Sequence, residues 1–172
     1  MSRDLIIKNL STALGVLTLN FGHIEHAIQV LCCALISEDG NIGLLATCDL
    51  SFSARLKLAR ALLNYRNTPE DLIIEADALL TKGSTLEQKR NTYIHSVWLS
   101  SADEKDAIRW KTTAKNGKLS HAWETVDERK LQELVAALHD LNADVFELIG
   151  KLIAAKIAYK IPTFSGHGIP SL

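Results

Sequence analysis

Residues 88–98 read QKRNTYIHSVW, and within them Arg90, Asn91 and His95 have the types and spacing of a phosphate-transfer site. Arginine presents a planar fork of donors to non-bridging phosphate oxygens and stays protonated at any useful pH. Histidine accepts a proton near neutrality and returns it. An asparagine one helical turn before the histidine can fix its ring or bind a substrate oxygen. RNA carries its own nucleophile, the 2′-hydroxyl, so a base and a charge stabiliser can suffice there without metal or nucleotide cofactor.

The position of the arginine poses a question. At ~100° per residue, Leu86, Ile94, Val97 and Trp98 share one broad arc, and Arg90 falls inside it with Asn91 and His95 at the edge. An arginine on an apolar arc needs a partner. Glu25 is available on an earlier helical segment, so a paired structural arginine is the competing reading. Glu25 and His26 are the residues placed to support Arg90.

The elements that must position these groups follow from periodicity. Leu10, Leu14, Leu17, Phe21, Ile24, Ile28, Leu31 and Leu35 alternate spacings of four and three, and Gly40 in SEDGN supplies a stop. Leu131, Leu134, Leu138, Leu141, Val145, Leu148, Leu152, Ala155 and Tyr159 repeat the pattern. Two long helices with narrow seams imply shallow packing, in a bundle or across a dimer. Residues 42–48 predict a turn or two of helix. SFSARLKLARALLNY predicts a helix with a serine N-cap, with Phe52, Leu56, Ala59, Leu62 and Leu63 inward. In NTPEDLIIEADALLTKG, Thr68 is the expected N-cap and Pro69 the first helical residue. Gly83 predicts a stop, and STLE, with Ser84 and Glu87, a capping box, so the helix carrying the triplet is placed at about 84–100. Residues 106–124 turn rich in Thr, Trp and Ile around Asn116-Gly117 and predict a β-hairpin. The expected fold is all-α: an up-and-down bundle of about five helices in one domain over 1–160, with that small inserted hairpin and an extended or disordered tail at 161–172.

The 172 residues suffice for a core without disulfides or metal, and 47% hydrophobic with 23% charged residues is an ordinary globular balance. No uninterrupted apolar run approaches the ~20 residues of a membrane span. MSRDLIIKNL reads as an amphipathic helix start and not a signal peptide, so the expected location is the cytoplasm. Cys32, Cys33 and Cys48 form no C-x-x-C pair and read as small hydrophobes. The net charge of −1 exerts no global pull on nucleic acid, so any such contact must be local.

RNTYIH resembles the R-x-x-x-x-H signature of the HEPN (higher eukaryotes and prokaryotes nucleotide-binding) family, in which a polar residue, here Asn91, follows the arginine. FGHIEHAI is similar to that family's first-helix pattern, and VDERKLQELVAALHDL to its last helix. The architectural similarity covers most of residues 4–158, although the specific part is three residues. The resemblance implies a metal-independent endoribonuclease, a hydrolase of the toxin or antiphage kind, acting as a homodimer with two motifs facing one cleft. Arg90 would then stabilise the pentavalent phosphate, Asn91 position the phosphate or His95, and His95 serve as base for the 2′-hydroxyl. A second subunit would also explain a cation on an apolar arc. Several toxin members carry a tyrosine two residues after the motif histidine, where this chain has Val97, which puts their modification-based control in doubt here. The alternative is a non-catalytic helical dimerisation or interaction protein of a toxin–antitoxin or defence system, partnered by an antitoxin or nucleotidyltransferase.

Other constellations rank lower. His23 and His26 in HIEH lack the His-Glu-x-x-His spacing of zinc proteases, and no metal or cofactor is expected. Trp98, Trp110 and Trp123 read first as a cluster beneath the hairpin and second as a base-stacking platform.

Overall fold

The computed structural model describes residues 3–101, 107–126 and 128–160; the expected tail lies outside them. Among the described residues are α1 (Arg3–Ile36), α2 (Gly40–Thr47), α3 (Phe52–Tyr65), α4 (Glu70–Ile94), β1 (Val97–Ser100), β2 (Ala107–Lys115), β3 (Lys118–Val126) and α5 (Glu128–Ala154). The class is mostly helical. The all-α expectation is corrected by a three-stranded antiparallel sheet in the order β1–β2–β3. The chain divides into two compact units, Met1–Ile24 with Lys82–Leu141 and Glu25–Thr81 with Asn142–Leu172.

In the first unit the narrow seams bury Leu17, Phe21 and Ile24 of α1 and Leu131, Leu134, Leu138 and Leu141 of α5. The helix expected at 84–100 is corrected at both ends. It does not begin at a break, because α4 runs unbroken from Glu70 through a buried Gly83. A mid-helix glycine costs about 1 kcal/mol, whereas Leu80 and Leu86 on either side are buried and contribute about 1.5–3 kcal/mol each. Burial wins. The helix also stops early, at Ile94, and Val97–Ser100 pairs as a strand with β2, Val97 opposite Trp110 and Ser100 opposite Ala107. β-Branched and aromatic residues favour that outcome once a partner edge exists.

β2 and β3 form the expected hairpin, joined at Asn116-Gly117. Both turn residues have positive φ, 51° and 74°, as a type I′ turn requires. Its register places Arg109 opposite Glu124, Trp110 opposite Trp123 and Thr112 opposite His121.

The second unit is held by side chains closing helix ends. Ser51 caps α3 by accepting from the Ala54 N–H at 3.2 Å. The Thr68 hydroxyl, expected to cap α4, donates to the Leu63 carbonyl at 2.7 Å and so closes the end of α3, and α4 starts at Glu70, one residue after the Pro69 expected as its first. Arg66 donates through Nε and Nη2 to the Leu35 carbonyl, at 3.0 and 2.7 Å, satisfying the last turn of α1. A β-carbon on Gly43 of α2 would lie 2.7 Å from the Cα of Cys33 on α1, so only glycine permits that approach. Leu148 and Leu152 of α5 are buried, but the helix ends at Ala154, and Ala155 and Tyr159 fall beyond it. Lys156 takes a positive φ of 61° there, and the Tyr159 N–H donates to the Ala34 carbonyl at 2.8 Å.

α1 also departs from the reading of its hydropathy. Within Lys8–Ile36 it holds a window of mean hydropathy 1.3, enough by length and composition to cross a membrane, and half of that window is buried within the protein. Isolated polar residues such as Asn20 and His23 break the apolar run without lowering its average much.

Candidate functional site

Arg90 and Asn91 occupy the last turn and a half of α4, and His95 stands just past its end. The His95 N–H still donates to the Asn91 carbonyl at 3.1 Å, so His95 keeps helical register, roughly 40° around from Asn91. The helix end is then closed by its neighbours. The Ser96 hydroxyl donates to the Thr92 carbonyl at 2.5 Å, and Trp98 Nε1 donates to the Tyr93 carbonyl at 3.1 Å. The Trp98 ring stacks on Tyr93 with centroids 6.3 Å apart. The last carbonyls of α4 thereby find donors, and the chain turns into β1 with the motif at the corner.

Arg90 is half-buried. Its Nη1 donates to Asn91 Oδ1 at 2.9 Å, while Nε is shielded from water with no hydrogen-bond partner among the described residues. The guanidinium lies over the Phe21 ring, 5.0 Å from its centroid, a cation–π contact from the buried seam of α1. His95 is exposed. The arrangement therefore has a half-buried guanidinium, a carboxamide that accepts from it, and an accessible imidazole one turn on. Of the expected supporting residues, Glu25 is half-buried and His26 exposed, and both belong to the second unit. His23 is exposed as well. Among the described residues no three His, Cys, Asp or Glu side chains converge as a metal site.

The sequence reading missed Arg109. Its side chain is 11% exposed and grips Glu124 Oε2 through Nη2 and Nε at 2.7 and 3.3 Å. Nη1 reaches Ser96 Oγ at 3.3 Å, and the guanidinium lies 6.0 Å from the Tyr93 centroid. Lys130 of α5 donates to the other Glu124 oxygen at 3.1 Å. These hydrogen bonds, Arg109's foremost, hold the Glu124 carboxyl below the usual carboxylate range. This network ties the sheet to the corner that carries His95. The signal for it lies in the turn: counting outward from Asn116-Gly117, Arg109 and Glu124 are equally distant, which makes them cross-strand partners of opposite charge.

Beside the motif a groove of about 320 Å³ is lined by Leu86, Lys89, Thr92, Tyr93, Lys130 and Leu134. The three tryptophans do not form one cluster beneath the hairpin. Trp98 faces α4, whereas Trp110 and Trp123 stack on each other on the opposite face, centroids 5.2 Å apart and rings 8° from parallel. Alternation along paired strands accounts for the split, since Trp98 is opposite Arg109 and not Trp110. No family model, curated protein or solved structure matches the chain.

Proposed function

We propose that the chain is a HEPN-like, metal-independent endoribonuclease of the helical-bundle kind that acts as a cytoplasmic homodimer, with Arg90, Asn91 and His95 as its site. The observation that carries the reading is the guanidinium of Arg90: half-buried, held by Asn91 and by the Phe21 ring, on the helix turn before an exposed His95. A cation held in that way, one turn from an exposed imidazole, suits a dianionic phosphorane.

In the reaction, His95 accepts the 2′-hydroxyl proton as the 2′-oxygen bonds to phosphorus. The bond from phosphorus to the 5′-oxygen breaks, and a protonated imidazole returns a proton to the leaving oxygen. The products are a 2′,3′-cyclic phosphate and a 5′-hydroxyl. Arg90 stabilises the charge on the non-bridging oxygens. A dimer with facing motifs provides two imidazoles, so base and acid can be separate residues. Antitoxin or nucleotidyltransferase partners are the expected regulators of such an enzyme.

The test is incubation of the wild type, Arg90→Ala and His95→Ala with total RNA in EDTA. Cleavage by the wild type alone supports the reading. The non-catalytic interaction protein is favoured by one feature, the hydrogen bond that Arg90 gives to Asn91 within the same chain. It gains if the wild type leaves RNA intact while remaining dimeric.

A further inference from the structure

We propose that the outer face of the sheet binds unpaired bases of a single-stranded nucleic acid, with the stacked Trp110–Trp123 pair as the platform. This deepens the ribonuclease reading by giving its substrate a second, non-catalytic foothold, and it rests on that reading for cleavage but not for binding.

Three observations point there. First, Trp123 is 61% exposed, so a large flat ring presents itself to solvent. It lies parallel to Trp110, and His121 flanks Trp110 with centroids 6.2 Å apart, making a short column of π faces on one side of the hairpin. Every nucleobase has a π face, so such a column receives bases with little regard to sequence.

Second, the charge fits a polyanion. The twenty residues of β2, turn and β3 hold Arg109, Lys111, Lys115 and Lys118 against one carboxylate, Glu124, in a chain whose net charge is −1. Glu124 is on the opposite face, neutralised by Arg109 and Lys130. By the register, the face bearing Trp110 and Trp123 has no carboxylate at all on its strand positions. Lys111 and Lys118 alternate onto the other side, about one sheet thickness (~10 Å) away, a distance comparable with the ~8 Å over which physiological salt screens charge.

Third, the face is continuous with the motif. Val97, opposite Trp110, belongs to the same face and follows His95 by two residues. The platform and the residue two positions after His95 thus share one face of the sheet.

The experiment uses the full chain with His95→Ala, so that RNA is not consumed. Fluorescein-labelled oligouridylate, oligodeoxythymidylate and a duplex of equal length, each of roughly ten nucleotides, are titrated by anisotropy and by quenching of tryptophan emission. Single strands should bind and quench, the duplex should not, and preference for one single strand identifies RNA or DNA as the source of the bases. Trp123→Ala should weaken binding about tenfold or more, within the range for a lost stacking aromatic. Trp123→Tyr should retain most of it, and Trp123→Leu should not. Binding unchanged in Trp123→Ala and Trp123→Leu overturns the platform, as does a Trp123→Ala protein that sediments as a monomer, where the parent is a dimer, yet binds oligonucleotide normally. That last result assigns the face to a second copy. RNA cleavage by the wild type with binding indifferent to Trp123 removes the platform and leaves the ribonuclease. Binding through Trp123 without cleavage does the reverse.

Discussion

Arg90 owes its place to its neighbours, and each has its own consequence. Phe21 supplies a ring face, Asn91 an acceptor, and Nε has no partner among the described residues. Removing the guanidinium should therefore cost little stability. A cation–π contact is worth about 0.5–2 kcal/mol, so Arg90→Ala should lower Tm by only a few degrees in a chain of this size. His95 is exposed, and His95→Ala should leave Tm nearly unmoved while cutting RNA cleavage by about 10²–10⁴-fold, the usual worth of a general base. Circular-dichroism melts paired with a gel assay check both. Glu124 gives a pH dependence with a definite sign. Its carboxyl is lowered in the folded protein, so its contribution is fully present above the ordinary glutamate range, ~4.3, and is lost as pH drops through the folded value. Melts across this acidic window should show a decline that is shallower in Glu124→Gln. Equal slopes would mean that Arg109 and Lys130 do not stabilise the charged form.

Among the elements, the hairpin and α2 depend on glycine in two separate ways. Gly117 has a φ of 74°, and a left-handed conformation costs an ordinary L residue about 1–2 kcal/mol. Gly117→Ala should destabilise by about that much, with no steric component, because a β-carbon there meets nothing within 4 Å. Gly43 is the opposite case. Its backbone is ordinary, but a β-carbon would meet the Cα, Cβ and Sγ of Cys33 at 2.7, 2.7 and 2.9 Å. Overpacking of this kind costs about 1–3 kcal/mol. Gly43→Ala should be destabilised in urea, and a Cys33→Ala partner mutation should not rescue it, since the backbone of residue 33 still stands in the way. Full rescue would place the clash in the sulfur alone. α4 shows the same competition at larger scale: a glycine in its middle is tolerated, while a few residues past its end a strand partner captures the chain.

At the scale of the whole molecule the three cysteines report on burial. Cys32 and Cys33 are buried and Cys48 is exposed. Burial pushes the Cys32 thiol up to about 12 and raises that of Cys33, and the thiolate is the reactive form. Titration of the native protein with a chromogenic disulfide should release one equivalent quickly, from Cys48, and three after denaturation. Two rapid equivalents in the native state would show that the second unit opens on the timescale of the assay. The net charge of −1 conceals a basic hairpin, so oligonucleotide binding should weaken with salt, with a slope set by the few phosphates its lysines reach.

Periodicity and turn chemistry are local, and whatever depends on them can be read from residue order. The seams of α1 and α5, the Ser51 cap, the Asn116-Gly117 turn and the pairings counted from it all follow from neighbours a few residues apart. The spacing that puts His95 one helical turn after Asn91, beside Arg90, was legible for the same reason. The end of α4 was not, because the residues after Ile94 satisfy a helical arc and a strand alternation equally well until β2 offers its hydrogen bonds. Nor was the continuation of the helix through Gly83, since a cost of about 1 kcal/mol is outweighed by burial against side chains distant in sequence. Arg109 became visible only with the sheet: its pairing is readable in the register, but its burial against Tyr93 and Ser96 depends on β1 bringing the helix end to the strand.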